Sequence, residues 1–220
     1  MFKLYNSRTK ETEEVKPLDG KTIRMYTCGP TVYDFAHIGN FRALLSADLL
    51  KRYLSYKDFS VNHVMNITDV DDKMIAGSQK QFPDTDPMEA LEKFGEKYEA
   101  AFFEDYRTLN IVEPDTITRA SEHIPEMQKL IVSIIENGFG YVKDGSIYFD
   151  VKKYSAKNTY GVLTNIDMEG FKDGARIDAD QYEKESAQDF ALWKKHKDGE
   201  PSWDFEVKGD QLPGRPGWHI

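Results

Sequence analysis

Residues 24–40 gather the side chains of this chain that are best suited to chemistry. In order, they are Cys28, Gly29, Pro30, His37, Gly39 and Asn40. A histidine followed closely by a glycine suits nucleotide binding, because imidazole forms hydrogen bonds and glycine lets a phosphate approach the backbone. A single cysteine after a strand is most often a small buried apolar side chain. The Gly-Pro pair that follows Cys28 argues for a loop instead, so the thiol is either packed inside or free to bind.

The elements on either side place this stretch at one end of a sheet. Residues 22–27 mix β-branched and aromatic side chains and predict a buried strand. Gly29 and Pro30 end that pattern. From Asn40 to about Tyr56, apolar residues recur at helical spacing, which predicts an amphipathic helix. The loop therefore leads into a helix N-terminus, where free backbone N–H groups favour phosphate.

A second strand at 61–66, with a helix after it, completes a βαβ unit, for which a parallel sheet and a right-handed crossover are the default. Thr68 or Asp69 is the expected cap of that helix. Asp69, Asp71 and Asp72 fit an acidic first turn favoured by the helix dipole. Thr68 is the better candidate for contacting a ligand, because open α/β sheets bind ligands at the carboxyl ends of their strands.

The remaining segments are first helical and then mixed. Residues 2–6 alternate as a short edge strand does, and 8–20 predict a surface connection. Helices are predicted at 88–109, with an aromatic stripe that we interpret as core, and at 118–137, ended by Gly138. Short strand-like pieces follow at 139–142, 146–151 and 189–194.

Length and composition are those of a globular protein. The 220 residues suffice for one large domain, or for one domain that carries an insertion. Hydrophobic residues make up 40% and charged residues 30%, and there is no apolar run long enough to span a membrane. Neither a transmembrane segment nor a signal peptide is expected. Because one cysteine forms no internal disulfide, we expect a cytoplasmic location.

The formal net charge of −9 argues against an extensive nucleic-acid surface. The charge is unevenly distributed, since residues 1–57 hold 10 Lys/Arg against 6 Asp/Glu, and residues 58–220 hold 19 against 32. Positive potential is therefore expected around the Cys28–Asn40 loop, where a triphosphate would dock. Any contact with tRNA would need a local basic patch or a region absent from this chain.

Three separated segments resemble the cysteinyl-tRNA synthetases, class I enzymes with a His-Ile-Gly-His-type nucleotide motif. They are residues 27–33 (TCGPTVY) with 37–40 (HIGN), 66–73 (NITDVDDK) and 216–220 (PGWHI). Asn40 stands where other class I motifs have a second histidine, as it does in the cysteine-specific group. The resemblance implies an α/β fold, the first half of a Rossmann-like parallel sheet with an α+β connective insertion.

The resemblance also implies roles for individual residues. His37 and Asn40 would be catalytic, by binding ATP and stabilising charge on its α-phosphate. Tyr33 and Gly39 would join them in the ATP site. The residues implied to bind cysteine are Gly29, Thr31, Thr68 and Trp218. A histidine near a loop or a tryptophan near a strand is often structural, so both interpretations stay open for these two residues.

By the same resemblance, Cys28 is one of four zinc ligands, and the metal binds the thiolate of the substrate. Zinc prefers sulfur donors, so such a site would separate cysteine from serine without an editing step. The family's second cysteine lies two residues after its Trp-His-Ile segment and its other ligands lie further on, whereas this chain stops at Ile220. One thiolate cannot hold a tetrahedral zinc, so we expect no stable zinc binding by the chain alone. Mg²⁺ is expected with ATP.

The implied activity is that of a cysteine–tRNA ligase, in which cysteine and ATP give cysteinyl adenylate and the cysteinyl group passes to tRNA(Cys). The expected divisions are 1–110, the first half of the catalytic domain; 111–205, the insertion; and 206–220, a truncated return to the catalytic domain. Neither a Lys-Met-Ser-Lys-Ser-type loop nor an anticodon-binding domain is recognised. We therefore expect an incomplete, inactive fragment, and a monomer.

Two alternatives stay open. A cysteine ligase that acts on an amino sugar would share the zinc and nucleotide architecture, and only an assay of the acceptor separates it from the tRNA enzyme. A non-enzymatic fragment that binds a partner through its acidic insertion would fold normally after His37→Ala and would bind no ATP.

Overall fold

The computed structural model describes residues 2–163 and 188–220. The chain forms two compact units. We call Val15–His123 the parallel unit, and Met1–Glu14 together with Ile124–Ile220 the antiparallel unit.

Strands and helices are named in chain order. Within the described residues, the strands are β1 (Lys3–Asn6), β2 (Glu11–Glu14), β3 (Thr22–Thr27), β4 (Ser60–Ile67), β5 (Thr116–Arg119), β6 (Gly140–Lys143), β7 (Ser146–Phe149), β8 (Phe190–Lys195), β9 (Glu206–Val207), β10 (Asp210–Gln211) and β11 (Gly214–Pro216). The α-helices are α1 (Ile38–Tyr56), α2 (Asp72–Gln81), α3 (Pro87–Thr108), α4 (Ile124–Glu136) and α5 (Val151–Ser155), and a 3₁₀ helix covers Ala120–His123. None of these described helices is both long enough and apolar enough to cross a membrane.

The parallel unit is built on a three-stranded sheet in the order β3-β4-β5, and both strand pairs are parallel. Helix α1 connects β3 to β4, which is the predicted βαβ unit. The predicted α/β fold with a Rossmann-like parallel sheet is thereby confirmed. The carboxyl ends of β3 and β4 lie side by side, because Thr27 pairs with Met65.

Strand β3 has the predicted bounds but is not buried, which corrects one expectation. None of its residues is buried, and Tyr26 is 65% exposed. Strand β4, in the middle of the sheet, buries Met65 and Ile67 completely. Composition predicts a strand, whereas burial depends on the position of that strand in the sheet, and β3 lies at the edge of this one.

Helices α2 and α3 form the apolar layer of the parallel unit. The aromatic stripe of α3 packs as core, as predicted, with Phe94, Phe102 and Phe103 buried. The two helices approach closely at Gly77, where an added Cβ would lie 2.4 Å from the Phe94 ring. Phe102 also stacks on Phe41 of α1, with ring centroids 5.6 Å apart.

Two predicted helix boundaries are wrong. Helix α2 is capped by Asp71, whose side chain accepts the Lys73 N–H at 2.8 Å, and not by Thr68 or Asp69. The start of the helix predicted at 118–137 is also wrong, because Thr118 lies in strand β5. Helix α4 begins only after the 3₁₀ helix that follows this strand. Three β-branched residues in succession favour the extended chain there, because their side chains crowd a helix.

The antiparallel unit contains a four-stranded sheet in the order β11-β8-β7-β6. Strands β6, β7 and β8 fall on the predicted strand-like pieces, and Gly138 follows α4 with a φ of 80°. Strands β1 and β2 pair as a hairpin, so 8–20 is not a plain connection. The unit's core cluster comprises Ile124, Ile131, Ile147, Leu192, Trp193, Phe205, Val207 and Leu212.

The segment 206–220, which was expected to rejoin the parallel sheet, contributes β11 to this antiparallel sheet. Residues Gly214–Pro216 pair with β8, and an added Cβ at Gly214 would lie 2.1 Å from the carbonyl oxygen of Lys194. The boundaries 1–110, 111–205 and 206–220 remain a prediction.

Candidate functional site

Cys28 directly follows the last residue of β3, and its thiol is exposed. Its Sγ atom lies 3.6 Å from the carbonyl oxygen of Gly29, a weak contact. Of the two possibilities that the sequence leaves open, the structure shows the thiol on the surface and not packed in the core.

The loop after Cys28 is fixed to the end of strand β4 by backbone hydrogen bonds. The Thr68 N–H donates to Pro30 at 3.0 Å, and the Val32 N–H donates to Thr68 at 3.2 Å. These bonds continue the parallel ladder as an isolated bridge between Thr31 and Thr68. Gly29, Thr31 and Thr68, three of the residues predicted to bind cysteine, are therefore held together.

Gly29 is required by this close approach. An added Cβ at Gly29 would lie 1.8 Å from the carbonyl oxygen of Asn66, far inside van der Waals contact. Its N–H donates to the Oδ1 of Asn66 at 3.0 Å. Asn66 has no role of its own in the sequence pattern, although it lies at the carboxyl end of β4, where ligands are expected.

His37 and Asn40 form a reciprocal capping box at the start of α1. His37 is the N-cap, and its Nδ1 accepts the Gly39 N–H at 3.0 Å. The Oδ1 of Asn40 accepts the His37 N–H at 3.0 Å. Because Nδ1 is an acceptor, the neutral imidazole carries its proton on Nε2. The Nε2–H of His37 and the amide N–H groups of Asn40 are not used by the cap.

Gly39 makes room for the histidine ring. An added Cβ at Gly39 would lie 2.8 Å from the Cε1 and 2.9 Å from the Nδ1 of His37. The motif thus serves two purposes at once, since the glycine admits the capping imidazole and also leaves the helix N-terminus open to a ligand. The spacing of His37 and Asn40 is that of a capping box, so their role at the start of α1 could have been predicted from the sequence.

Tyr33 lies in the same loop and is partly exposed. The ammonium group of Lys73, in the first turn of α2, lies 4.6 Å from the centre of the Tyr33 ring. This geometry is a cation–π contact, and it brings a positive charge to a residue predicted to bind ATP. In the sequence, Lys73 is only the last residue of the 66–73 segment, and no part in ATP binding is predicted for it.

Two titratable groups adjoin the Cys28 loop. Although most of the Tyr26 side chain is exposed, the loss of water around its hydroxyl, which contacts Asn66, raises its pKa, and the charge of the neighbouring Cys28 acts in the same direction. His63, 2% exposed, lies beneath the end of β3, where its Nε2 is 2.8 Å from the hydroxyl of Thr27. Burial, followed by the charge of Lys51, lowers the pKa of His63.

Trp218 belongs to the antiparallel unit. Its side chain is 59% exposed and meets the His219 ring edge to face at 4.9 Å. An added Cβ at Gly217 would lie 1.9 Å from the carbonyl oxygen of Ala191, so the chain reaches Trp218 in close contact with β8. The structural alternative, a tryptophan packed in the core, does not apply to this side chain.

The described residues do not form a zinc site. No group of three or more His, Cys, Asp or Glu among them is placed to hold a metal ion. Cys28 offers one exposed thiolate, whereas structural and catalytic zinc sites take three or four protein ligands.

Comparison with known proteins gives a consistent family. Residues 14–220 match the family model described as tRNA synthetases class I (C) catalytic domain. The chain is 46% identical over 219 residues to a protein named cysteine–tRNA ligase from Solibacter usitatus, and 42% identical over 220 residues to proteins of the same name from Koribacter versatilis and Methanococcus maripaludis. All of this chain is covered in each case, but only 44%, 42% and 43% of those relatives.

The chain thus spans less than half the length of these curated relatives. The family match covers both the HIGN segment at the start of α1 and the PGWHI segment, the two ends of the resemblance seen in the sequence. The chain therefore belongs to the family of class I tRNA synthetase catalytic domains of the cysteine type.

Proposed function

We propose that this chain supplies the nucleotide site and part of the amino-acid site of a cysteine–tRNA ligase. The observation that carries the proposal is the β3–α1 connection. It begins with the exposed thiol of Cys28 and ends at a helix N-terminus with the side-chain N–H groups of His37 and Asn40 that the cap does not use. The relatives' names favour tRNA over an amino sugar as the acceptor of the cysteinyl group.

The first reaction forms cysteinyl adenylate. A carboxylate oxygen of cysteine attacks the α-phosphorus of ATP, a new P–O bond forms, and the bond to pyrophosphate breaks. The Nε2–H of His37 and the amide N–H groups of Asn40 would stabilise the charge on the α-phosphate oxygens as this happens. Removal of one such preorganised donor from an enzyme of a different reaction class raises its barrier by roughly 2.7–4 kcal/mol.

Recognition of cysteine would use the other end of the same loop. Gly29 and Thr31 hold the loop against β4, and the half-buried Thr68 presents a hydroxyl at the carboxyl end of that strand. A role of Trp218 in binding cysteine rests on the resemblance to the family alone. In the second reaction, the cysteinyl group passes from the adenylate to a hydroxyl of tRNA(Cys), and AMP leaves. The proposed use of Zn²⁺ and Mg²⁺, the monomeric state and the binding of tRNA all follow from the resemblance to the family.

The proposal is tested by titrating the 220-residue chain with ATP and following binding by calorimetry. His37→Ser retains an N-cap oxygen but lacks the imidazole N–H that would bond a charged phosphate, so it is expected to weaken ATP binding about tenfold or more while α1 stays folded. The matched control is His196→Ser, which changes an exposed histidine of the antiparallel unit and should bind ATP as the wild type does. Equal ATP affinity of wild type and His37→Ser would contradict the proposed nucleotide site.

A further inference from the structure

The side chain of Asn66 connects three groups of the candidate site. Its Oδ1 accepts the Gly29 N–H at 3.0 Å and lies 2.8 Å from the hydroxyl of Tyr26. Its Nδ2 lies 3.2 Å from the hydroxyl oxygen of Thr68. Asn66 thus bridges the end of β3, the peptide that follows Cys28, and the end of its own strand.

One backbone group fixes the direction of every hydrogen bond in this cluster. The Gly29 N–H can only donate, so the Asn66 atom that faces it is the carbonyl oxygen. The Tyr26 hydroxyl, which shares that oxygen, must also donate. The remaining atom of the amide is Nδ2, which can only donate, so the Thr68 oxygen must accept.

This arrangement leaves the Thr68 hydroxyl with its proton free. Among the residues that the structure describes, the hydroxyl oxygen of Thr68 contacts only the Nδ2 of Asn66, and its proton is directed away from that nitrogen. Thr68 is half-buried, so the O–H remains accessible to a ligand at the end of β4. A hydroxyl oriented in this way has its O–H available for an acceptor atom, such as a carboxylate oxygen or a thiolate sulfur of an amino acid.

We propose that Asn66 is a positioning residue, which holds the Cys28–Gly29 peptide in place and orients the Thr68 hydroxyl so that its O–H donates to the bound amino acid. The second part rests on the proposed function, and the first part does not. Tyr26 supports the geometry, because its hydroxyl donates to the same Asn66 oxygen at 2.8 Å and so ties the end of β3 to the amide.

The chain provides a matched control for Asn66. Asn62 is the same residue type, four positions earlier on β4, and lies on the same face because side chains alternate along a strand. It is exposed and has no side-chain hydrogen bond within the described chain. Substitutions at the two asparagines therefore change strand propensity equally but differ in their effect on the Cys28 loop.

The first test is amide hydrogen exchange at Gly29, measured by NMR on the 220-residue chain. Asn66→Ala removes the acceptor, so Gly29 exchange should become at least about tenfold faster, whereas Asn62→Ala should leave it unchanged. Tyr26→Phe removes one contact of the cluster without touching the amide, and should give a smaller increase. If Asn66→Ala fails to fold, the exchange rate of the Gly29 amide in Tyr26→Phe tests the positioning role instead. Exchange at wild-type rates in the variants that fold would overturn the positioning role.

The second test uses Cys28, which is the only cysteine of the chain and reports the site by its rate of reaction with a disulfide reagent. Asn66→Asp keeps the acceptor oxygen but places a negative charge beside the Cys28–Gly29 peptide. That charge repels an anionic disulfide reagent, so the rate of the anionic reagent relative to an uncharged one should fall several-fold at a fixed pH. Asn62→Asp should leave this rate ratio unchanged. Equal ratios for wild type and Asn66→Asp would overturn the proposal.

The third test addresses the Thr68 hydroxyl through saturation-transfer NMR with millimolar L-cysteine. Thr68→Val and Asn66→Ala should each weaken the cysteine signal, and the double variant should be no weaker than Thr68→Val alone, because both changes remove the same donor. A wild-type cysteine signal that Thr68→Val reduces and Asn66→Ala leaves intact would overturn the second part. No cysteine signal in the wild type would instead count against the proposed function, and Gly29 exchange would still decide the positioning role.

Discussion

His37 and Asn40 cap the same helix: the side chain of His37 accepts the N–H of Gly39, and the side chain of Asn40 accepts the N–H of His37, both at 3.0 Å. The two residues expected to be catalytic are therefore also the residues that cap the start of α1. This coupling orients the imidazole, because the bond from Gly39 fixes the Nδ1 as acceptor and leaves the Nε2 proton for a phosphate. It also means that an alanine substitution at either residue changes stability and nucleotide binding together.

Substitutions at His37 are expected to separate these two roles. His37→Ala should lower the free energy of unfolding by about 0.5–2 kcal/mol, as loss of an N-cap does, whereas His37→Ser should retain most of it because serine is a good N-cap. Both should lose ATP affinity. Urea denaturation gives the first quantity and calorimetry the second. Equal destabilisation by alanine and serine would contradict the capping role.

Gly39→Ala is expected to destabilise the chain, contrary to the usual preference of helices for alanine. Alanine normally gains about 0.5–1 kcal/mol over glycine within a helix. Here the new Cβ would lie 2.8 Å from the His37 ring, so the ring must move and the cap weakens. A double-mutant cycle by urea denaturation provides the measurement. In the His37→Ser background the cost should disappear, and an equal cost in both backgrounds would exclude the ring as its cause.

The fold could be predicted well where local pattern and topology agree. Strand β3, helix α1 and the parallel pairing with β4 follow from periodicity and from the default of a βαβ unit. The start of α4 could not be predicted, because residues Thr116–Arg119 form a strand that pairs with β4. This pairing joins residues that are distant in the sequence. Tertiary pairing outweighed the helical pattern there.

The site was predictable to a different extent. The residue types at Cys28, His37 and Asn40 indicate a nucleotide loop, and the resemblance to a family gives them roles. The hydrogen bonds of Asn66 could not be predicted, since they depend on the register that brings Tyr26 and Gly29 beside it. An asparagine in a strand carries no periodic signal of its own.

Zinc binding by this chain is expected to be weak and to depend little on Cys28. The described residues provide no cluster of three or more metal ligands, and a single thiolate does not satisfy the coordination of zinc. Competition with a chromogenic chelator should give similar apparent affinities for wild type and Cys28→Ser. Tight binding with one equivalent of zinc that is lost in Cys28→Ser would contradict this expectation and would require further ligands.

The stability of the parallel unit is expected to depend on pH through His63. The side chain is 2% exposed, its Nε2 contacts Thr27, and its Nδ1 has no hydrogen-bond partner within the described residues. Burial lowers its pKa below the ordinary value of 6.5, and the charge of Lys51 acts in the same direction. The folded chain therefore binds this proton less readily than the unfolded chain does.

The contribution of His63 to stability is fully present above pH 6.5 and is lost as the pH falls from there through the lowered pKa of the folded state. Urea denaturation at pH values between about 7.5 and 5 should show a falling free energy of unfolding, and His63→Gln should flatten this dependence. His196→Gln, which changes an exposed histidine, should leave the slope as in the wild type. The pKa of Asp115 is lowered by the N–H of His63 that it accepts, so its own contribution is lost only below about pH 4 and does not overlap this range. An unchanged slope in His63→Gln would mean that His63 is protonated as easily in the folded chain as in the unfolded one.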